Sequence, residues 1–308
     1  MTRAFFIVGP TATGKSEIAA DVAREAGAEI VSADAFQIYR GLDLLTAKPE
    51  ARTVAKAPHH LIGMVPLTEE MNAEKYRRAA SCAIEELNLR GKLAIVVGGS
   101  GLYIKALTHG LAPLTSAEPN LREKLNAMGL HDLRSQLCEL DPETARKIDL
   151  KNRRRLVRAL EICLLSGKPA SEVVAGVADS GWPGSLIPAT GVFVFRDREE
   201  LYQRINERVE TMFKCGVIEE VRGAGVTSAT ASQMIGWREI RELLAGKKSL
   251  SECIAEIQQA TRRYAKRQLT WFRRQTNFSA LNLSFLTHNE AVKWISLRML
   301  SEAGTRDD

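Results

Sequence analysis

No run in this 308-residue chain approaches the roughly 18 to 20 consecutive apolar residues that a membrane span needs. Its first residues also lack the basic, apolar, small-residue order of a signal peptide. A soluble, cytoplasmic protein without a membrane partner is the expectation. Cysteine is scarce and poorly placed for chemistry: Cys82, Cys138, Cys163, Cys215 and Cys253 are odd in number, scattered, and never spaced as a paired metal knuckle. Reduced structural thiols are expected, and no zinc. Internal repeats and low-complexity segments are lacking too. With 45% apolar and 26% charged residues, fibrous, collagen-like and wholly disordered readings are excluded. The length suits about two domains.

Acid is in deficit, with 43 Lys and Arg against 37 Asp and Glu, a net charge of +6. The distribution says more than the total. Arg146 to Arg158 carries seven basic residues against Asp149 alone, and Arg262 to Arg274 carries six with no acid. Clustered positive charge gains affinity for a polyanion by releasing its condensed counterions, which is how a nucleic-acid footprint reads in sequence. Either cluster taken alone reads equally well as a solvated helix face.

The first third alternates short β-rich runs with helical patterns, the order of parallel strands joined by crossover helices. Strands are expected at Ala4 to Val8, Glu29 to Ala33 and Leu93 to Val97, with a helix over Lys15 to Ala26. Strands buried on both faces place their ligands at the carboxyl end of the sheet. Between Pro113 and Pro188 the pattern becomes charged and helical, over Asn120 to Met128, His131 to Leu140 and Arg153 to Leu165. Gly181-Trp182-Pro183-Gly184 closes that segment before a strand at Thr190 to Phe195. The expected architecture is α/β: a P-loop NTPase-like parallel sheet core over residues 1–112 and 189–308, with a helical insertion domain over 113–188. The last residues, 305–308, read as a frayed tail.

The strongest chemical signal is Gly9-Pro10-Thr11-Ala12-Thr13-Gly14-Lys15-Ser16, a complete P-loop between an expected strand and an expected helix. Glycines let backbone amides converge on phosphate oxygens, and the helix N-terminus adds partial positive charge. Lys15 would neutralise phosphate charge, and the Ser16 hydroxyl would hold magnesium. By motif the loop stands with nucleotide- and ATP-binding loops, so a di- or triphosphate is the expected ligand. An ATPase would usually add an apolar strand ending in an acid. Here the best apolar strand runs into Val97-Gly98-Gly99-Ser100-Gly101 with no carboxylate. The acid at a strand end is Asp34. From spacing alone it could hold magnesium, hold a ribose hydroxyl, act as a base on an acceptor, or cap a helix.

Together these strings resemble the tRNA dimethylallyltransferase family, also called tRNA isopentenyltransferase. The resemblance runs nearly end to end: Gly9 to Ser16, Ser32 to Gly41, Thr46-Ala47-Lys48-Pro49, Pro58 to Ile62, Val97 to Tyr103, Arg158 to Glu161, Gly167-Lys168-Pro169, and Tyr264 to Arg274. It implies transfer of a dimethylallyl group from dimethylallyl diphosphate to N6 of adenosine-37 beside the tRNA anticodon, with diphosphate leaving. Gly9, Pro10, Thr11, Ala12, Thr13, Gly14, Lys15 and Ser16 would then cradle the prenyl diphosphate, with Mg2+ at Ser16. Asp34 would orient or deprotonate N6. Ser100 occupies the place of a family threonine, and Arg208, preferred over Arg204 four residues earlier, would support the diphosphate.

The resemblance also implies a tRNA surface for the anticodon stem-loop, including Asp34, Ala35, Phe36, Gln37 and Ser100 around a flipped adenosine. Arg122 and the run Arg154, Arg155, Leu156, Val157 and Arg158 would contact the anticodon arm from the insertion. Gln233, Gly236, Arg238, Lys266, Arg267 and Arg273 complete it. In the late helix Ala265, Leu269 and Phe272 form one stripe with the basic residues opposite, and Tyr264 and Trp271 read as anchors more than as base-stacking platforms. A monomer is expected. The chain departs from the family pattern at Ala35, usually serine, at Leu45, usually glycine, and at Gly63, usually aspartate. Three rivals stand beside this reading: an enzyme prenylating free adenine nucleotides, a P-loop kinase, and a binding module with a vestigial loop.

Overall fold

The structure is a computed structural model and describes residues 3–111, 118–173, 190–275 and 278–304. Six strands form its sheet: β1 (Ala4–Val8), β2 (Glu29–Ser32), β3 (His59–His60), β4 (Ala94–Gly98), β5 (Thr190–Phe195) and β6 (Ser279–Asn282). Their order is β3-β2-β4-β1-β5-β6, and every pairing is parallel. The core is therefore α/β with a parallel sheet, as the alternation of strand and helix patterns implied. β4 lies one residue later than expected. The edge strands β3 and β6 escaped the sequence reading because a short strand has too few residues to establish a period.

β1 is AFFIV, buried at every position, because both sheet faces are covered. Phe5 and Ile7 pack with Ile18, Val22 and Ala23 of the helix Lys15–Ala26 and with Ile295 and Met299 of the helix His288–Gly304. Phe6 and Val8 face the other way, into a core with Tyr76 and Ile84 of the helix Ala73–Leu89 and Phe272 of the helix Leu250–Gln275. The strand order sets β2, β4 and β1 side by side. Their carboxyl ends release Asp34, Ser100 and the P-loop at one edge.

The chain divides into two compact units, Met1–Thr108 with Leu186–Asp308, and His109–Ser185. The second contains the helices Pro119–Ala127, Leu130–Leu140, Pro142–Lys147 and Arg153–Ser166 around Leu125, Leu133, Leu137, Leu156 and Leu160. Asp141 joins two of these helices and a later segment, its carboxylate accepting from Thr144 N at 2.9 Å and Ser171 N at 2.8 Å. The expected boundaries at 112–113 and 188–189, the Gly181 to Gly184 turn and the tail at 305–308 lie outside the described residues.

Candidate active site

The P-loop leaves β1 at Gly9, whose amide donates to the Gly98 carbonyl of neighbouring β4 at 3.2 Å. Gly14 then turns the chain into the helix with φ +89°, a left-handed conformation that favours glycine. The first intrahelical bond is Ile18 N to Gly14 O, so the amides of Lys15, Ser16 and Glu17 have no intrahelical acceptor. They form the positive end of the helix dipole. The Lys15 ammonium folds back to the Pro10 carbonyl at 3.1 Å. Burial pushes its pKa down to about 8, with the charge of Asp34 opposing the shift and that of Arg208 adding to it.

Three arginines hold the loop. Arg196 Nε donates to Thr13 O at 2.9 Å, Arg204 Nε to Ala12 O at 2.8 Å, and Arg208 Nη1 to Thr11 Oγ1 at 3.1 Å. Ala12 sits at φ +65°, a conformation that costs an alanine about 1 kcal/mol, and the Arg204 bond to its carbonyl helps retain it. Arg208 also donates through Nη2 to Ala47 O at 3.0 Å. Burial lowers its pKa, Asp34 opposing. Arg204 and Arg208 therefore both serve the loop, Arg204 through its backbone and Arg208 through a side chain at its mouth. Arg196 was missed because it precedes the helix Arg198–Lys214, outside the helical pattern that begins at Glu199.

Asp34 follows β2. Its Oδ1 accepts from Phe36 N at 2.9 Å and Gln37 N at 3.2 Å, so it caps a turn where the capping reading expected a helix. The second oxygen takes no part in that cap. Ser100, 8% exposed, accepts from Ala35 N at 2.9 Å, and its own amide donates to Ala33 O at 3.2 Å. Beside them stands Tyr264, held protonated chiefly by burial and then by the charge of Asp34. A cleft opens here. Thr11, Asp34, Arg208 and Tyr264 give it polar corners, while Ile205, Val209, Met212 and Ile257 contribute apolar wall.

One side of the cleft is the loop from Leu42 to Lys48, in which Leu42 and Ala47 take positive φ values of +52° and +49°. Glu220 holds it by accepting from Leu44 N and Leu45 N, each at 2.9 Å. Lys48 Nζ donates to Tyr39 O at 2.6 Å and Gly41 O at 3.0 Å. Gln37 donates to Ala47 O at 2.9 Å, so its side chain supports this loop. Leu45 is buried and packs on Gly236, where an added Cβ would lie 2.8 Å from Leu45 Cδ1. Glu220 carried no motif and was not a sequence candidate.

The structure brings Lys15, Asp34, Ser100 and Arg208 together within the first unit, and sorts the remaining candidates. Phe36 lines the cleft. Gln233, Lys266, Arg267 and Arg273 are exposed, and Arg238 is exposed while paired with Glu239 at 2.8 Å. In the helix Leu250–Gln275, Ala265 and Phe272 are buried, opposite the exposed basic residues. Trp271 is an anchor, packed edge-on against Phe272 with ring centroids 5.0 Å apart. Gly236 is buried, with Leu45 and Ile257 against it.

In the second unit Arg154 and Arg155 are exposed. Leu156 and Val157 are corrections: at 0% and 5% exposure their side chains belong to the core, because a helix turns 100° per residue and cannot show one face with five consecutive positions. Arg122 forms a two-pronged pair with the buried carboxylate of Glu161, at 2.5 and 2.6 Å, and Arg158 adds a contact at 3.2 Å. Both arginines thus carry a structural duty that the charge pattern did not disclose. No cluster of three or more His, Cys, Asp or Glu able to hold a metal occurs among the described residues. No helix among them is long and apolar enough to cross a membrane.

A P-loop at the carboxyl edge of a parallel sheet, a carboxylate beside it and an apolar cleft define a phosphate-binding group-transfer enzyme. A family model described as IPP transferase matches residues 37–275. A tRNA dimethylallyltransferase of Geobacter sulfurreducens is 42% identical over 305 residues, covering 96% of this chain and 92% of its own. One from Akkermansia muciniphila is 39% identical over 302 residues, covering 97% and 99%. Among solved structures, a full-length tRNA isopentenylpyrophosphate transferase of Bacillus halodurans aligns with TM-score 0.70 and 32% identity, covering 98% of this chain and 97% of that one. A eukaryotic dimethylallyltransferase described as acting on tRNA aligns with TM-score 0.82 and 25% identity, over 98% and 80%. The chain belongs to the IPP transferase family and is a prenyltransferase.

Proposed function

We propose that this enzyme transfers a dimethylallyl group from dimethylallyl diphosphate to N6 of adenosine-37 in tRNA, releasing diphosphate. The convergence of the P-loop, Asp34 and the apolar cleft carries this reading. The bond from the prenyl C1 to its diphosphate oxygen breaks as C1 bonds to N6, and N6 loses a proton. Free amides at the start of the helix Lys15–Ala26, the Lys15 ammonium and the Arg208 guanidinium stabilise the charge that develops on the departing diphosphate. Asp34 orients the exocyclic amine and takes its proton through the oxygen left outside the turn cap. Ser100 fixes that turn by accepting from Ala35 N. Ile205, Val209 and Met212 offer the prenyl chain an apolar wall.

The donor set suits Mg2+, a hard cation that is commonly held by a hydroxyl or one or two carboxylates together with substrate phosphates. Ser16, at the start of the helix Lys15–Ala26, would hold it together with the substrate phosphates. When bound, it would neutralise phosphate charge. Exposed Arg154, Arg155, Gln233, Lys266, Arg267 and Arg273 would meet the tRNA.

The test mixes enzyme, magnesium, dimethylallyl diphosphate and unmodified tRNA, then analyses the digested nucleosides by mass. Prenylated adenosine next to the anticodon is the expected product. Prenylation of free adenosine monophosphate alone, or turnover of ATP without a prenyl acceptor, would overturn the reading.

A further inference from the structure

Gln268 lies in the helix Leu250–Gln275 directly after the exposed Lys266 and Arg267, yet it is only 6% exposed. Its carboxamide reaches into the site. Oε1 accepts from Thr11 N in the P-loop at 2.9 Å, and Nε2 donates to Gly99 O, beside Ser100, at 2.8 Å. Both partners are backbone groups of opposite character, so the amide can be seated only one way round: a flip would oppose oxygen to carbonyl and N–H to N–H. The turn after β4 is shaped around it, since a Cβ on Gly99 would lie 2.3 Å from Gln268 Nε2.

The two loops it joins do different work. Thr11 carries the hydroxyl on which Arg208 rests, and the residue after Gly99 carries the hydroxyl that holds the Asp34 turn. Apart from Gln268, one backbone bond joins these loops at their roots, Gly9 N to Gly98 O. Beyond that point the spacing between them rests on a side chain from a distant helix.

We propose that Gln268 is a positioning residue that sets the separation of the diphosphate loop from the Ser100 turn. It anchors both to the helix whose outer face bears the basic residues. This rests on the prenyl transfer reading above. The amide touches no reacting atom. It keeps the leaving-group cradle and the acceptor-side carboxylate at a fixed spacing, and misplacement by a fraction of an ångström is costly in a group transfer.

The experiment compares steady-state kinetics of wild type with Gln268→Met, which keeps the length of the side chain and removes both hydrogen bonds. The expected result is a KM for dimethylallyl diphosphate raised about tenfold and a lowered kcat, with the KM for tRNA little changed. Gln268→Glu retains an acceptor for Thr11 N and meets the Gly99 carbonyl with a second acceptor; it should give the same split, and serves should the Met variant fold poorly. A Gly99→Ala change should damage wild type more than a Gln268→Ala background, where the 2.3 Å clash is gone and only the 3.0 Å approach to Gly9 O remains. Unaltered donor KM in the folded variants, or donor and tRNA KM rising together, would overturn the proposal. Failure of wild type to prenylate tRNA at all would instead remove the functional reading beneath it.

Discussion

The amide of Ala35 donates to the hydroxyl oxygen of Ser100 at 2.9 Å, although 65 positions separate them. This bond ties the turn after β2, which presents Asp34, to the turn after β4. Removing the hydroxyl leaves the Ala35 amide without that acceptor in a partly buried place, at a cost of about 1–3 kcal/mol. Ser100→Ala should therefore lower kcat about tenfold or more with tRNA affinity unchanged. Ser100→Thr, which keeps the oxygen, should retain most of the activity, and single-turnover prenylation measures both.

Asp34→Asn separates the two tasks of that carboxylate. The amide oxygen can still accept from Phe36 N and Gln37 N, so the turn should survive. Its ability to take a proton is lost. A drop of roughly 10²- to 10⁴-fold in the chemical step is expected, the scale of general-base catalysis. Single-turnover rates beside tRNA binding isotherms test it; near-normal rates would remove Asp34 as the base.

Lys15 gives the free enzyme a pH signature. Its folded pKa, about 8, lies below the ordinary 10.5, so the ammonium that attracts diphosphate is lost as pH rises through about 8. The kcat/KM for the donor should fall above that pH, and Lys15→Arg, charged throughout, should not show the fall. Stability follows the same group with opposite sense. Between about 8 and 10.5 the unfolded chain binds more protons at this site than the folded one, so its contribution to stability rises with pH. Denaturant unfolding of wild type against Lys15→Met across that range checks the sign.

Two sets of arginines in the second unit should behave differently. Arg122→Ala strips the two-pronged partner from a Glu161 carboxylate that is 0% exposed, leaving it to Arg158. A lowered melting temperature is expected, because an under-paired buried charge is strongly destabilising. Arg154→Ala with Arg155→Ala removes exposed charge only. That double variant should melt normally, bind tRNA less tightly and show a salt slope reduced by about 1 to 2, as loss of one or two phosphate contacts requires. An unchanged slope would place the tRNA elsewhere.

What could be read along the chain was what local chemistry writes there. The P-loop announces itself because glycines, a lysine and a serine must stand at fixed spacing. β1, the helix Lys15–Ala26 and the stripe of Ala265 and Phe272 follow from apolar period and burial. Tertiary structure alone decided the rest. Glu220 reaches Leu44 and Leu45, Gln268 reaches Thr11 and Gly99, and Arg196 reaches Thr13, each across more than 160 positions. Arg122 looked like one more basic residue until folding set it against Glu161. A side chain that bonds to a backbone group leaves no mark in the sequence of its partner, since every residue type carries that same backbone. Such contacts exist only once the chain has brought distant segments to the same edge of the sheet.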